Sequence, residues 1–287
     1  MLKVSLRAVR EPYKALDYAI CSTGELHNYS GKIMTASQCG FSSNGNFRND
    51  GTVYASVEAM TRSGSGVCTG TVTIPSDVKA MPGRDVIDYY ASLATPIPSS
   101  STMERFVLSP GRNPFGATNA NGVYVITTTS DITLRAFRLQ GTLVIRAPGK
   151  KVKIDSAALL ESARSDYPTL LVDGDLEIKT SGRTLVLSEF SWLTSFNPPG
   201  APYAGQADSD FLDTYPNEIR GLIHVLGNVR ITSSAVIKGC MIVEGEVDCE
   251  SYPDLQYSGW LYDSPPVGYS QATGMEVVAN SWNQEVE

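Results

Sequence analysis

Carboxylates are the residues of this chain best placed to do chemistry, and they gather in the segment 188–215, SEFSWLTSFNPPGAPYAGQADSDFLDTY. Asp208 and Asp210 lie two apart, Glu189 and Asp213 flank them, and Asp173 and Asp175 precede the segment. Glycoside cleavage needs two acids across a sugar bond, one giving a proton and the other attacking or activating water. Asp208 and Asp210 are therefore the candidate catalytic pair, with Arg183 and Arg220 merely near in sequence and no base marked beside them. Glu189, Trp192, Tyr203 and Asp213 are the candidate ligand-binding residues, since Phe190, Trp192, Phe196 and Tyr203 supply rings that could stack on sugars. Asp208, Asp210 and Asp213 are also oxygen donors suited to Ca²⁺, although their spacing matches no EF-hand loop. The bland alternative is that these acids cap their own loop and the rings cover a flank of the fold.

Other chemistries find less support. His27 and His224 are the only histidines, and neither sits in a nucleophile elbow. His224 lies between Ile223 and Val225 in an alternating run, which predicts a polar or solvent-facing strand position. The GSG at Gly64 to Gly66 lacks the strand-to-helix setting of a phosphate loop. Cys21, Cys39, Cys68, Cys240 and Cys249 follow no zinc or CxxC spacing. Cys21 and Cys39 stand eighteen apart, a spacing that leaves open either a disulfide or buried thiols. No cofactor is expected beyond the Ca²⁺ these acids could hold, and the absence of a specific catalytic motif favours a protein that is not an enzyme.

Whatever positions these residues repeats itself. GLIHVLGNVRITSSAVIK from Gly221 aligns with GCMIVEGEVDCESYPDLQ from Gly239, matching Val225 to Val243, Gly227 to Gly245 and Val229 to Val247 at a period of eighteen. GVYVITTTSDITLRAFRLQ from Gly122 sits over GTLVIRAPGKKVKIDSAAL from Gly141 at nineteen, placing Val125 by Ile145 and Ile132 by Val152, and TLLVDGDLEI from Thr169 begins a third rung. A more polar block carries Gly31, Gly51 and Gly70 in one register and Gly24, Gly45 and Gly66 in another. Short alternating strands punctuated by glycine at this period predict an all-β fold, a parallel β-helix (β-solenoid) of about 18–20 residues per rung with short capping helices. One rung cannot bury its apolar face, whereas stacked rungs share an interior.

The expected organisation is a capping helix over 1–20, polar rungs over 21–80, a helix and linker over 81–100, the main solenoid over 101–250 with its insertion at 188–215, and a cap or tail over 251–287. The first helix rests on Leu2, Leu6, Val9, Tyr13, Leu16 and Ile20, a stripe interrupted by Pro12; the second on Val86, Tyr89, Tyr90 and Leu93 after Asp85. A net charge of -7 with dispersed basic residues excludes nucleic acid, Lys150, Lys151 and Lys153 forming one solvated turn. No apolar run approaches the roughly eighteen residues of a membrane span, and residues 1–10 lack a signal-peptide core.

The combination of GVYVI, QGTLVI, YPTLLVDGDLEI, NPPGAPYAG, DSDFLDTYPNEIRGLIHVLGNV and KGCMIVEGEV resembles exported bacterial proteins of planctomycete type related to PilX-like pilus-assembly proteins, over about residues 19–247. The short rungs alone are similar, more distantly, to bactofilin-like scaffolds. In the pilus-related group an apolar prepilin-like helix precedes the β-helical part, and residues 1–20 do not reproduce it. The resemblance implies an exported, cell-surface, envelope or extracellular location, a structural or adhesive role associated with pili or secretion, and envelope or pilus components or self-association as partners; it supplies no site residues. The alternative is a carbohydrate-binding or carbohydrate-cleaving β-helix, lyase or hydrolase, with a glycan partner held by the 188–215 segment.

Overall fold

The computed structural model describes residues 2–180, 182, 184–279, 281 and 283–284, so Arg183 lies outside the described residues. Its centre is a parallel sheet of nineteen strands wound into a three-faced solenoid. Face 1 includes Val123–Thr127, Leu170–Val172 and Met241–Val243; face 2 includes Ile132–Arg135, Val152–Asp155 and Val247–Cys249; face 3 includes Phe106–Leu108, Leu159–Leu160 and Asp254–Gln256. Alternation sends every second side chain inward. On face 2 one inward column runs Met103, Leu134, Ile154, Ile178, Ile231, Cys249, after which Asn28 and Asn49 take the same position. Those asparagines bond each other (Asn28 Nδ2 to Asn49 Oδ1, 2.9 Å), and Asn49 goes on to the Val67 carbonyl at 3.1 Å, which leaves Asn28 Oδ1 buried without a partner.

Glycine sets the corners. Gly221 pairs with Gly239, and a Cβ on Gly239 would meet the Gly221 carbonyl oxygen at 1.9 Å. At the turn from face 1 to face 2, Gly174, Gly227, Gly245, Gly24 and Gly45 stack in one column, linked by bonds such as Gly24 N to Gly245 O at 2.9 Å. The repeat of eighteen from Gly221 is therefore the register of the structure. Upstream, Val123 pairs with Thr142, and Ile132 with Val152, but Val125 faces Val144 while Ile145 faces Ile126. In the polar block Gly66 stacks on Gly51 rather than continuing the Gly24–Gly45 column, because the rung that begins at Val57 is shorter than its predecessors.

The order of rungs in space is not their order in the chain. Residues 20–73 wind three rungs outward, the chain returns along the side, and residues 95–256 wind six rungs back until the last docks on the first. Met241–Val243 pairs in parallel with Ile20–Ser22, and Val247–Cys249 with Leu26–Asn28. The rung at 20–37 is thus internal and needs no cap.

Helix α1 (Arg84–Leu93) forms the last part of the return, burying Val86, Ile87 and Tyr90 against the outer side of face 1 at Val123, Val144 and Leu171. Arg84 forks onto Asp173 (Nη2 to Oδ1, 2.9 Å), which fastens the helix to its rung. The capping helix expected over 1–20 is absent: Leu6–Pro12 is a strand antiparallel to Ser270–Val277, and a 3-10 turn, Lys14–Asp17, buries Ala15 and Leu16 on face 1. A partner strand some 260 residues away overrides the helical stripe, and Leu6 ends up exposed. All five cysteines are free thiols. Cys21 faces outward under the 3-10 turn while Cys39 packs on the interior core, so the sheet separates them.

The segment after Lys179 lies flat on face 3. Leu187, Phe196, Ala201 and Tyr215 pack over Val107, Ala136, Ala157 and Leu159. Arg138, outward on face 3, is 1% exposed beneath it and donates to the carbonyls of Phe196 (2.9 Å), Ala201 (2.8 Å) and Pro202 (2.8 Å). Burial holds its pKa below the usual arginine value, against the pull of Glu161.

Two substitutions test this architecture. Gly239→Ala forces a methyl into the neighbouring carbonyl and is expected to cost about 3 kcal/mol, a fall in melting temperature of roughly 6–12 °C, whereas Gly274→Ala, with open space around it, leaves the melt unchanged. Arg138→Leu strips three buried carbonyls of their donor and is expected to cost about 2–4 kcal/mol and to speed proteolysis between residues 189 and 213, which SDS gels of timed digests would show. Arg138→Lys does not rescue it, because an ammonium lacks the planar fork.

Candidate functional site

The insertion begins with a neck, Leu187–Ser188 antiparallel to Thr214–Tyr215, followed by the single turn α2 (Glu189–Trp192), which the Ser188 hydroxyl caps by accepting from Ser191 N. Glu189 is fully buried: Oε1 accepts from Phe196 N and from the Tyr215 hydroxyl (2.9 Å), and Oε2 from Asp213 N (3.2 Å). The Asn197 amide donates to Asp208 (3.2 Å) and Asp213 (2.9 Å). Burial and the neighbouring Glu189 carboxylate push the Tyr215 phenol well above its ordinary pKa, keeping it a donor.

Of the sequence-predicted acids, Glu189, Asp208 and Asp213 therefore meet, with oxygens within 4.8 Å of one another, and Asp210 does not. Asp210 caps the Leu212 amide at the surface (3.0 Å), so Asp208 and Asp210 share no cleft and cannot flank a glycosidic bond. The three grouped carboxylates fit a hard cation only in part. Such an ion takes six to eight oxygens, whereas Glu189 already accepts from three donors and Asp208 Oδ1 is the one oxygen of the three carboxylates that is buried without a partner. The cluster is a hydrogen-bonded knot that ties both ends of the insertion together.

Of the aromatic residues, Phe190 is exposed, Phe196 is buried, and Trp192 and Tyr203 are engaged. Trp192 is flanked by the guanidiniums of Arg105 (5.8 Å) and Arg135 (5.3 Å), and Tyr203 lies over Arg138 (5.1 Å) and against the edge of Tyr215. Faces occupied by arginine make no platform for a sugar. Arg220 is paired with Glu161 at 3.1 Å and with Glu218, and Asp175 caps the Asn228 amide at 2.8 Å. His224, expected at a polar or solvent-facing position, is fully buried on the outer side of face 1 between the Tyr269 hydroxyl and Glu244, both at 3.1 Å.

The surface that remains is face 2, which sequence reasoning passed over. Its central outward column reads Thr102, Thr133, Lys153, Glu177, Arg230, Asp248, His27, Arg48, Ser63. Beside it runs Glu104, Arg135, Asp155, Lys179. Sign alternates from rung to rung, and the charges hold one another: Arg135 with Glu104 at 2.9 Å, Lys153 with Glu177 at 3.9 Å, Arg230 with Glu250 at 2.7 Å, and His27 with Asp50 at 3.1 Å. The signal existed in the sequence as alternating charged residues within each short strand, but the sign pattern across rungs requires the register, and the step from Asp248 to His27 crosses between the two blocks.

No family model and no curated protein matches the chain. Among solved structures it is similar to an ice-binding protein of the Antarctic ascomycete Antarctomyces psychrotrophicus (11% identity, 86% of this chain and 97% of that one, TM-score 0.39), to a glycosylated ice-binding protein from an Arctic yeast (11%, 88% and 94%, 0.37), and to an ice-binding protein of Shewanella frigidimarina (10%, 86% and 96%, 0.33). Likeness this loose leaves function to the geometry. It does correct the earlier resemblance: the solved structures matched are ice-binding proteins and none is a PilX-like pilus protein, so the pilus-associated structural or adhesive role is not retained, nor, with the insertion closed flat on face 3, is the carbohydrate-active alternative. Among the described residues no helix is long and apolar enough to cross a membrane.

Proposed function

We propose that this protein binds an extended, regularly repeating surface through face 2, and that the surface is ice. The observation that carries this reading is the free face itself. Face 1 is covered by α1, the 3-10 turn and the segment around Tyr269, and face 3 at Val107, Ala136, Ala157 and Leu159 by the insertion, while face 2 keeps one register over nine rungs with no second layer among the described residues. Rungs about 4.8 Å apart make a rigid column roughly 40 Å long, and that repeat lies close to the spacing of the oxygen lattice in ice. Each column offers a hydrogen-bonding group at every step, held in place by its neighbours and so needing little ordering on contact. Hydroxyls concentrate at one end, where Thr102 lies over Thr133 beside Ser99, Ser100, Thr128 and Ser130. Contact with ice implies a protein that is exported.

The purified chain is expected to be retained in a slowly growing ice front and to show thermal hysteresis by nanolitre osmometry. Thr133→Tyr combined with Arg48→Tyr raises a ring from the face in each block and should reduce retention roughly fivefold, as loss of a central contact does in a flat interface. Lys238→Tyr, on face 3, should not. Exclusion of the wild-type chain from ice, to the degree seen for an unrelated protein, would sink the reading.

A further inference from the structure

The two ends of the solenoid are finished differently. At the end formed by Thr95–Ile97 and Thr102–Leu108, the loop that follows folds back and inserts Phe115 against Phe106 (5.4 Å, edge-on) and the interior core, with Ser109 held by the Tyr124 hydroxyl at 2.6 Å. At the other end nothing plays this part among the described residues. Val67–Cys68 pairs only with Thr52–Tyr54, and Val72–Thr73 only with Val57–Ser63, so the outer edges of these strands carry no partner strand. Inside them opens a mouth of about 500 Å³ lined by Phe47, Asn49, Arg62, Gly66, Cys68 and Val72.

The mouth has a charge where the core should continue. Arg62 pairs in register with Phe47, an inward core residue, because the bulge between Ser43 and Asn46 shifts the strand and puts an arginine in the inward register, exposed at the open end. Arg62 has no ion-pair or hydrogen-bond partner among the described residues, whereas most of the arginines along the stack are paired. An unpaired strand edge binds an added strand through its main chain, and alternate side chains of the newcomer then point inward.

We propose that this open end is a docking site for an extended segment of another protein, one that presents an apolar residue to the Cys68–Val72 side of the mouth and a carboxylate two residues away to Arg62. The chain already makes this kind of interface once within itself, where the rung at 241–256 stacks on the rung at 20–37. A second copy does not fit. Mouth to mouth, two copies would set Arg62 against Arg62, and mouth to opposite end they would meet the Phe115 plug. Charge therefore selects a foreign acidic strand.

The probe is an acetylated, amidated octapeptide alternating threonine with valine, one inward valine replaced by aspartate, titrated into the isotope-labelled full chain and followed by amide shifts. Shifts confined to residues 61–73, with affinity weakened about tenfold when lysine replaces the aspartate, support the site. Arg62→Glu should invert the preference, and Arg62→Gln should abolish it while leaving the melt unchanged. Equal binding of both peptides, an absence of shifts in this segment, or a wild-type dimer in sedimentation that Arg62→Glu dissolves would each overturn it.

Discussion

Everything in this molecule hangs on one seam, the parallel pairing of the last rung with the first. Met241 N bonds Ala19 O (2.9 Å), Thr23 N bonds Val243 O (2.9 Å), Val247 N bonds Glu25 O (2.8 Å) and Tyr29 N bonds Cys249 O (3.2 Å). Each bond is worth only about 0.5–1.5 kcal/mol, but without the seam two whole rung edges would stand open, which is the arrangement that templates aggregation. The seam also dictates the rest. Because the polar block must end up beside the last rung, the chain has to return from the far side of that block to the start of the main one. The segment 74–94 does so, and within it helix α1 supplies ten residues, about 15 Å at 1.5 Å per residue, which matches three of the rung spacings of about 4.8 Å and explains why it lies against the rungs that start at Val123, Thr142 and Leu170.

That constraint marks the boundary of what the sequence discloses. Strand alternation and glycine corners are local, so the rungs, their period and the helix at 84–93 could be read directly. The seam joins residues more than two hundred apart and leaves no local mark. Reading the chain in order made residue 20 the start of the stack and demanded a cap before it; in space that position is interior, and Leu6–Pro12 is free to pair with Ser270–Val277 instead. The site suffered from the same limit. That Glu189, Asp208, Asp210 and Asp213 share one segment was legible, yet that Asp210 stays apart and that the acceptors of the others meet Phe196 N, the Tyr215 hydroxyl and the Asn197 amide depends on how the loop closes. Arg138 reads as an ordinary solvated strand residue until the insertion lies on it.

The break in the repeat at residues 188–215 was the natural place to seek function, since long insertions in compact folds usually carry it. Here it closes a surface instead of opening one. Face 3 at Val107, Ala136, Ala157 and Leu159 is apolar on its outer side, unlike face 2, and an apolar sheet face needs a second layer. The insertion is that layer, with Arg138 as its rivet and the Glu189 knot as its clasp.

Face 2 needs no such layer, and the reason bears on what it can do. Stacking in register places each outward side chain about 4.8 Å from its counterparts above and below, a distance at which a column of one sign would repel itself at every step. Alternation of Lys153, Glu177, Arg230 and Asp248 removes that repulsion and fixes the register of both blocks at once. The alternating charges are thus sufficiently explained by the stack, and they say nothing by themselves about a ligand. What the stack does not require is that this face remain bare along its whole length while face 1 and the first rungs of face 3 carry a second layer. A rigid lattice of paired groups, left open along the whole molecule, is suited to meeting another lattice, whereas the unpaired Arg62 at the open end is suited to meeting a single complementary charge.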